Sequence, residues 1–299
     1  MPLLTKNQKS MFCICAVAAP LLHTTSGCSW PAVAVVGGVC LALCAGLDVL
    51  AEQAQYPAWY GWLHWVWGTV VISQLLLWIA PYWPTARGPG IALLLLALST
   101  WTACKGEAVT SCCAAVLGLF VLAVAGILLL TGVGEVEPQE LMPYWQIPDG
   151  NLITVFLLPA LLPNAGGRQG KLWLLLLGLL ASSITMGVLG SQNCWAVDAP
   201  FYELSRSLNL FGVAKRLDSV TAAVMTLGFY LTMCYVLLCS RPENSGRSEC
   251  VSALLCGVIL LCNFRLDSRF VAAGSVIAWV ILPILFAGKR KFKKSDKSA

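Results

Sequence analysis

The sequence predicts an all-α integral membrane protein with about ten transmembrane helices, on three observations. First, only 11% of its 299 residues are charged and 58% are hydrophobic, whereas a soluble domain carries roughly 25% charge. Second, the mean hydropathy is +0.78, and apolar runs recur as far as residue 287. Third, aromatic residues crowd both ends of one run. Tyr56, Trp59, Tyr60, Trp62, Trp65 and Trp67 stand at its start, and Trp78, Tyr82 and Trp83 at its finish. Two such belts about 20 residues apart match the two interfaces of a bilayer. Together these features set aside a soluble enzyme, a disordered chain and a nucleic-acid binder.

A helix crossing the hydrocarbon core needs about 20 mostly apolar residues. The candidate runs are about 10–28, 31–50, 59–82, 90–104, 109–131, 151–164, 171–190, 218–239, 249–264 and 269–287. The first begins after Lys6 and Lys9 and could pass for a signal peptide. Because further runs follow it, it reads as a membrane helix instead. That run contains Pro20 and then the polar string His23-Thr24-Thr25-Ser26-Gly27, and the sixth contains Pro159 and Pro163. Both are predicted to be interrupted helices. Between the seventh and eighth runs, residues 198–218 are too polar to span. Leu204, Leu208, Phe211 and Val213–Ala214 partly follow a helical period there, with Glu203, Arg206, Lys215, Arg216 and Asp218 around them. This segment is expected to form an amphipathic helix and turn on the outer face. The whole reads as one transmembrane domain over 1–288, with repeats at about 10–131 and 151–287, followed by a basic cytoplasmic tail at 289–299.

With ten spans and the N-terminus inside, thirteen of the nineteen Lys and Arg residues fall in inner loops or the tail. That bias places both termini in the cytoplasm. The formal charge of +5 has a simple source: the last eleven residues hold six Lys/Arg and one Asp.

Fourteen cysteines and two histidines are present. The cysteines lie mostly inside apolar runs and lack the paired loop spacing of a zinc site, so they read as small hydrophobes. A disulfide between Cys28 and Cys194 is open to the sequence but not demanded by it. No nucleophile–base pair, carboxylate dyad or phosphate loop is evident, which points away from an enzyme; no metal or cofactor is expected. His23, His64 and Asp48 read as interfacial residues. Lys105-Gly106-Glu107 reads as a tight inner turn, or as a charge pair locking its two helices. No charged residue stands well inside a span.

Interruptions at runs one and six are five apart. In ten-helix carriers built from two inverted five-helix repeats, the LeuT-like plan, the first helix of each repeat is broken and its free backbone groups hold the substrate. On that plan the candidate ligand-binding residues are Ala18, Ala19, Thr24, Thr154 and Phe156. The alternative is that the prolines only kink packed helices.

The order of these features resembles the spore-germination permease family, the B subunit of GerA-type germinant receptors, within the amino acid–polyamine–organocation (APC) superfamily. The likeness runs through Gln8, Ser29-Trp30, Gly106-Glu107, Leu141-Met142-Pro143 and Pro159. Its most specific part is Tyr202-Glu203 with Arg206, then Lys215-Arg216-Leu217-Asp218, Gly228 and Pro283 before the basic tail. Ala18-Ala19-Pro20 replaces the Gly-Ser pair that family members often show. The resemblance implies a subunit in the inner membrane of a developing spore. It would bind a small nutrient such as an amino acid and signal to A-type and C-type receptor subunits. It also implies family-motif roles for Glu203, Arg206, Arg216 and Asp218 as a salt-bridged outer lid. A secondary transporter of amino acids or related solutes, and an assembly subunit without a ligand, are the alternatives.

Overall fold

A computed structural model describes residues 6–51, 56–83, 88–142, 145, 148–162, 167–208, 217–242 and 248–287. Among these, all regular structure is helical. The elements are α1 (Lys6–Ser26), α2 (Trp30–Ala51), α3 (Ala58–Ile79), α4 (Gly88–Cys104), α5 (Glu107–Val133), α6 (Gly150–Leu157) and α7 (Gly167–Leu189). After two short helices, α8 (Ser191–Ala196) and α9 (Pro200–Ser207), come α10 (Asp218–Cys239), α11 (Ser248–Leu261) and α12 (Ser268–Val276). A π-turn at Ile277–Ile281 carries α12 onward. Each apolar run predicted from the sequence carries helix among the described residues, as lipid demands of a backbone that can bond only to itself. Six helices are long and apolar enough to cross a membrane, while Gly88–Cys104, Gly150–Leu161 and Ser248–Leu261 are shorter apolar helices. The chain is therefore a multi-pass membrane protein by helix length and composition.

The helices fall into two groups. α3, α4, α10 and α11 pack on one another, and α1, α2, α6 and α7 form the second set. α1 and α5 both pack on α10 and so join the groups. Burial marks the centre: 78% of the apolar window of α10 lies inside the protein, against 33% for α2 and α5. Close approach there depends on small residues. A Cβ on Gly228 would stand 2.3 Å from the Cβ of Ala19, and one on Gly118 would stand 2.2 Å from that of Cys15. Such contacts let backbones meet where lipid supplies no hydrophobic drive.

The predicted break in the first helix is not there. α1 runs unbroken through Pro20. A proline at this position removes the hydrogen bond to the carbonyl four residues earlier, which is that of Ala16. The hydroxyl of Thr232 on α10 donates to that same carbonyl at 2.5 Å. The helix continues because its neighbour supplies the missing donor. The sixth helix does change form: α6 ends at Leu157 and continues as a 3₁₀ turn, Leu158–Leu161, around Pro159. Here too the loosened backbone is occupied. Tyr235 Oη donates to the Leu158 carbonyl at 3.3 Å, and Cys44 Sγ donates to that of Phe156 at 3.7 Å.

Candidate functional site

A cavity of about 790 Å³ opens at the end of the bundle where α1 and α3 finish and α6 and α12 begin. This size lies within the roughly 300–1,000 Å³ of small-molecule sites. α1 contributes His23 and Thr24, α3 contributes Gln74 and Trp78, and α6 contributes Asn151 and Leu152, with Asp149 just before it. Asp198 and Arg265, from the segments that precede α9 and α12, and Ser268 at the start of α12 also line it.

Most polar groups of the wall are held by their neighbours. His23 Nδ1 and the Tyr82 hydroxyl are 2.9 Å apart, with the Trp78 ring 5.3 Å from the imidazole. Thr24 Oγ1 donates to the Pro20 carbonyl at 2.9 Å, and Trp83 Nε1 to Thr226 at 2.9 Å. Asn151 Nδ2 donates to Asp149 Oδ2 at 2.6 Å, and the Ser268 hydroxyl donates to the other carboxylate oxygen. Asp149 thereby ties the start of α6 to the start of α12. Gln74 differs. It is 8% exposed, and its Nε2 is buried with no hydrogen-bond partner.

α8 and α9 flank the cavity. Glu140 Oε2 accepts from Ser191 N–H at 2.9 Å, just past Gly190, whose φ of +81° suits the turn out of α7. Cys194 on α8 donates from Sγ to the Thr185 carbonyl at 3.4 Å. Burial, reinforced by the Glu140 charge, pushes its thiol up to about 12. Cys28 and Cys194 are both free and buried.

The residues expected to hold a ligand are only partly brought together. Thr24 lines the cavity. Ala18 and Ala19 are fully buried, with Ala19 against Gly228. Phe156 is buried, its ring filling the space over Gly37 and Gly178. The Thr154 hydroxyl donates back to the Gly150 carbonyl at 3.2 Å. These side chains fill the bundle beneath the cavity.

Within the segment 198–218, the described residues carry the helix α9. α9 turns Phe201 and Leu204 inward, followed by buried Leu208, and Arg206 pairs with Glu203 across one turn at 2.9 Å. That pairing, with its hydrogen bonds, raises the Arg206 guanidinium further above its ordinary value. Asp218 stands in the first turn of α10. Arg216, Lys215, Phe211, Val213, Ala214 and the basic tail lie outside the described residues.

At the opposite end, charge is paired and buried. Lys171 on α7, 4% exposed, pairs with Asp48 on α2. Asp48 is thus an ion-pair partner within the bundle rather than a simple interfacial residue. Arg241 pairs at 3.1 Å with Glu249, which is 2% exposed. The Lys105 ammonium lies 4.8 Å over the Trp101 ring. His64 stacks on Tyr60, 5.6 Å between ring centres, and Tyr60 Oη donates to the Ala278 carbonyl in the π-turn at 2.9 Å.

Three features escaped the sequence reading: Gln74, the His23–Tyr82 pair and the Lys171–Asp48 pair. A signal for the first existed, since Gln74 is the one side-chain amide between Trp59 and Tyr82. No family model matches the chain, and no curated protein matches it.

Proposed function

We propose that the chain is the membrane subunit of a nutrient receptor of the spore-germination kind. It takes a small solute such as an amino acid into the cavity from outside and passes the occupied state to A-type and C-type partner subunits. The observation that carries this reading is a cavity open at one end of the bundle above a packed floor, with ion pairs at the other end. A solute entering it meets a dead end, which suits binding without passage. The Lys and Arg bias supports turning the cavity outward.

The helix grouping supports a LeuT-like arrangement of ten spans. Counting apolar helices in chain order, α1, α2, α6 and α7 are the first and second of each half, and α3, α4, α10 and α11 are the third and fourth. Each packed group is unchanged when the halves are exchanged, as an inverted repeat requires.

A ligand can shift a receptor only through differential affinity for its two states. The test is thermal unfolding of the purified protein in detergent against amino acids, nucleosides and sugars. A ligand that binds the folded state alone stabilises it by about 2.7 kcal/mol at a hundredfold excess over Kd. A saturable rise in Tm with one class, and no uptake of that compound into proteoliposomes, is the expected result. Uptake would make the protein a carrier. No stabilisation of well-folded protein would leave only an assembly role.

A further inference from the structure

We infer that Cys104 and Cys250 are a redox-active pair at the end of the bundle opposite the cavity. A small-molecule disulfide such as oxidised glutathione converts their thiols into a disulfide that ties α4 to α11. The pair lies away from the cavity, so it stands or falls independently of the receptor reading.

Of the fourteen free cysteines four are exposed: Cys104, Cys112, Cys250 and Cys262. Two of the four meet. Cys104 is the last residue of α4, Cys250 lies in the first turn of α11, and their thiols are within hydrogen-bonding reach of each other. They meet because α4 and α11 pack side by side and run in opposite directions. Pro89 at the start of α4 and Arg265 beyond the end of α11 both line the cavity. The other ends of these two helices therefore lie together at the closed end. Between the two ends, a Cβ on Gly257 of α11 would stand 3.7 Å from Leu93 Cδ2 of α4.

Both backbones are anchored. The Thr102 and Tyr230 hydroxyls, 2.6 Å apart, hold the end of α4 to α10. Trp65 Nε1 donates to the Ser248 carbonyl at 3.2 Å, and the Thr69 and Ser252 hydroxyls are 3.0 Å apart, so the start of α11 is held to α3. A disulfide forms only where the backbone already brings two cysteines close. Thiols held in reach by two fixed helices leave only side-chain rotation to be done. The pair also stands among charged groups at the end of the bundle, not in the apolar interior. Lys105 follows Cys104 directly and is exposed. The Arg241–Glu249 ion pair is near enough for both of its charges to act on the Cys104 thiol.

The chemistry is thiol–disulfide exchange, in which the thiolate is the nucleophile. One cysteine thiolate attacks a sulfur of oxidised glutathione. A mixed disulfide forms and one glutathione thiolate leaves. The second cysteine thiolate attacks the protein sulfur of that mixed disulfide, and the second glutathione leaves. Two cysteine thiols become one disulfide, one glutathione disulfide becomes two thiols, and the two cysteine protons pass to the released thiolates. Exposed disulfides are the labile ones, so excess thiol reverses the bond.

The test incubates purified wild type, Cys104→Ser and Cys250→Ser in detergent with oxidised glutathione. Remaining thiols are then alkylated and the digest is mapped by mass spectrometry. Wild type should give a peptide joined through Cys104 and Cys250, with no glutathione on either. Each single variant should keep glutathione on the cysteine that remains, because no second thiol resolves the mixed disulfide. Dithiothreitol should return wild type to its starting mass. Oxidised wild type should also melt higher than reduced wild type, because the bond closes a long loop of chain. Cys104→Ser/Cys250→Ser should show no such rise. Glutathione left on wild-type Cys104 or Cys250 without a joined peptide overturns the inference, as does joining of either cysteine to a different one. No reaction at either cysteine overturns it too. The wild-type map decides these outcomes by itself, so a variant that does not fold leaves the test intact. A joined peptide with no rise in Tm overturns the role of the bond in tying α4 to α11.

Discussion

The two ends of the bundle treat polar groups in opposite ways. At the cavity end, Asp149, Asp198, Arg265 and Gln74 surround open volume, and the Gln74 amide has no partner. At the other end, Lys171 meets Asp48 and Arg241 meets Glu249, with little or no exposure of Lys171 and Glu249. Charge left facing a cavity is available to a ligand. Charge paired and buried holds helices together. On the receptor reading proposed above, recognition belongs to one end and closure to the other, with the close contact of α1 and α10 between them.

The largest effect should come from breaking the closed end. Lys171→Met removes the ammonium and leaves Asp48 without that partner. Removing one member of a buried ion pair costs about 3–5 kcal/mol, whereas replacing both members by apolar groups is often neutral. Tm in detergent should therefore fall sharply for Lys171→Met and recover most of the loss in Lys171→Met/Asp48→Leu. A double variant no better than the single would mean that the pair is not what holds α2 to α7.

Next comes the floor between the ends. Gly228→Ala puts a methyl group within 2.3 Å of the Ala19 Cβ, and overpacking of this kind costs about 1–3 kcal/mol. The exchange Ala19→Gly/Gly228→Ala keeps the total volume and should restore most of the stability. Equal loss in single and exchanged variants would show that α1 and α10 do not meet at these residues.

A smaller effect is expected one turn away. Thr232→Val deprives the Ala16 carbonyl of its donor and should cost about 1–2 kcal/mol. Pro20→Ala restores a backbone N–H to that carbonyl. In the Pro20→Ala background, Thr232→Val should therefore be nearly silent. Additive losses in the double-mutant cycle would separate the two residues and leave the continuity of α1 unexplained.

These residues also show what the sequence could and could not convey. The helices were legible because the apolar runs are long and the aromatic belts sit at their ends. Pro20 was equally legible, but its consequence was not. Whether a proline breaks a membrane helix depends on what the neighbour offers, and Thr232 lies 216 residues away in the chain. The same holds for Asp48 and Lys171, 123 residues apart. Each alone looks like a charge at a helix end, and only their meeting makes a buried pair. The candidate ligand residues were chosen from the prolines. Thr232 occupies the carbonyl that Pro20 frees, and Tyr235 and Cys44 bond carbonyls of the turn around Pro159, so neither proline leaves the open backbone that a ligand site would need.

The smallest effect belongs to the pair on α9, and it sharpens the comparison because it is charge at the cavity end serving no latch. Arg206 and Glu203 sit one turn apart on the same short helix, with side chains 55% and 31% exposed. An exposed pair within one helix contributes little, since water and salt screen it and two long side chains must be ordered. α9 is held instead by its inner face, where Phe201 and Leu204 are fully buried. Arg206→Ala should leave Tm indistinguishable from wild type, while Leu204→Ala, which empties a buried site, should cost about 2–5 kcal/mol. A loss for Arg206→Ala as large as for Leu204→Ala would make α9 a second ionic latch. The cavity end would then be a gate held by charge rather than a mouth that stays open.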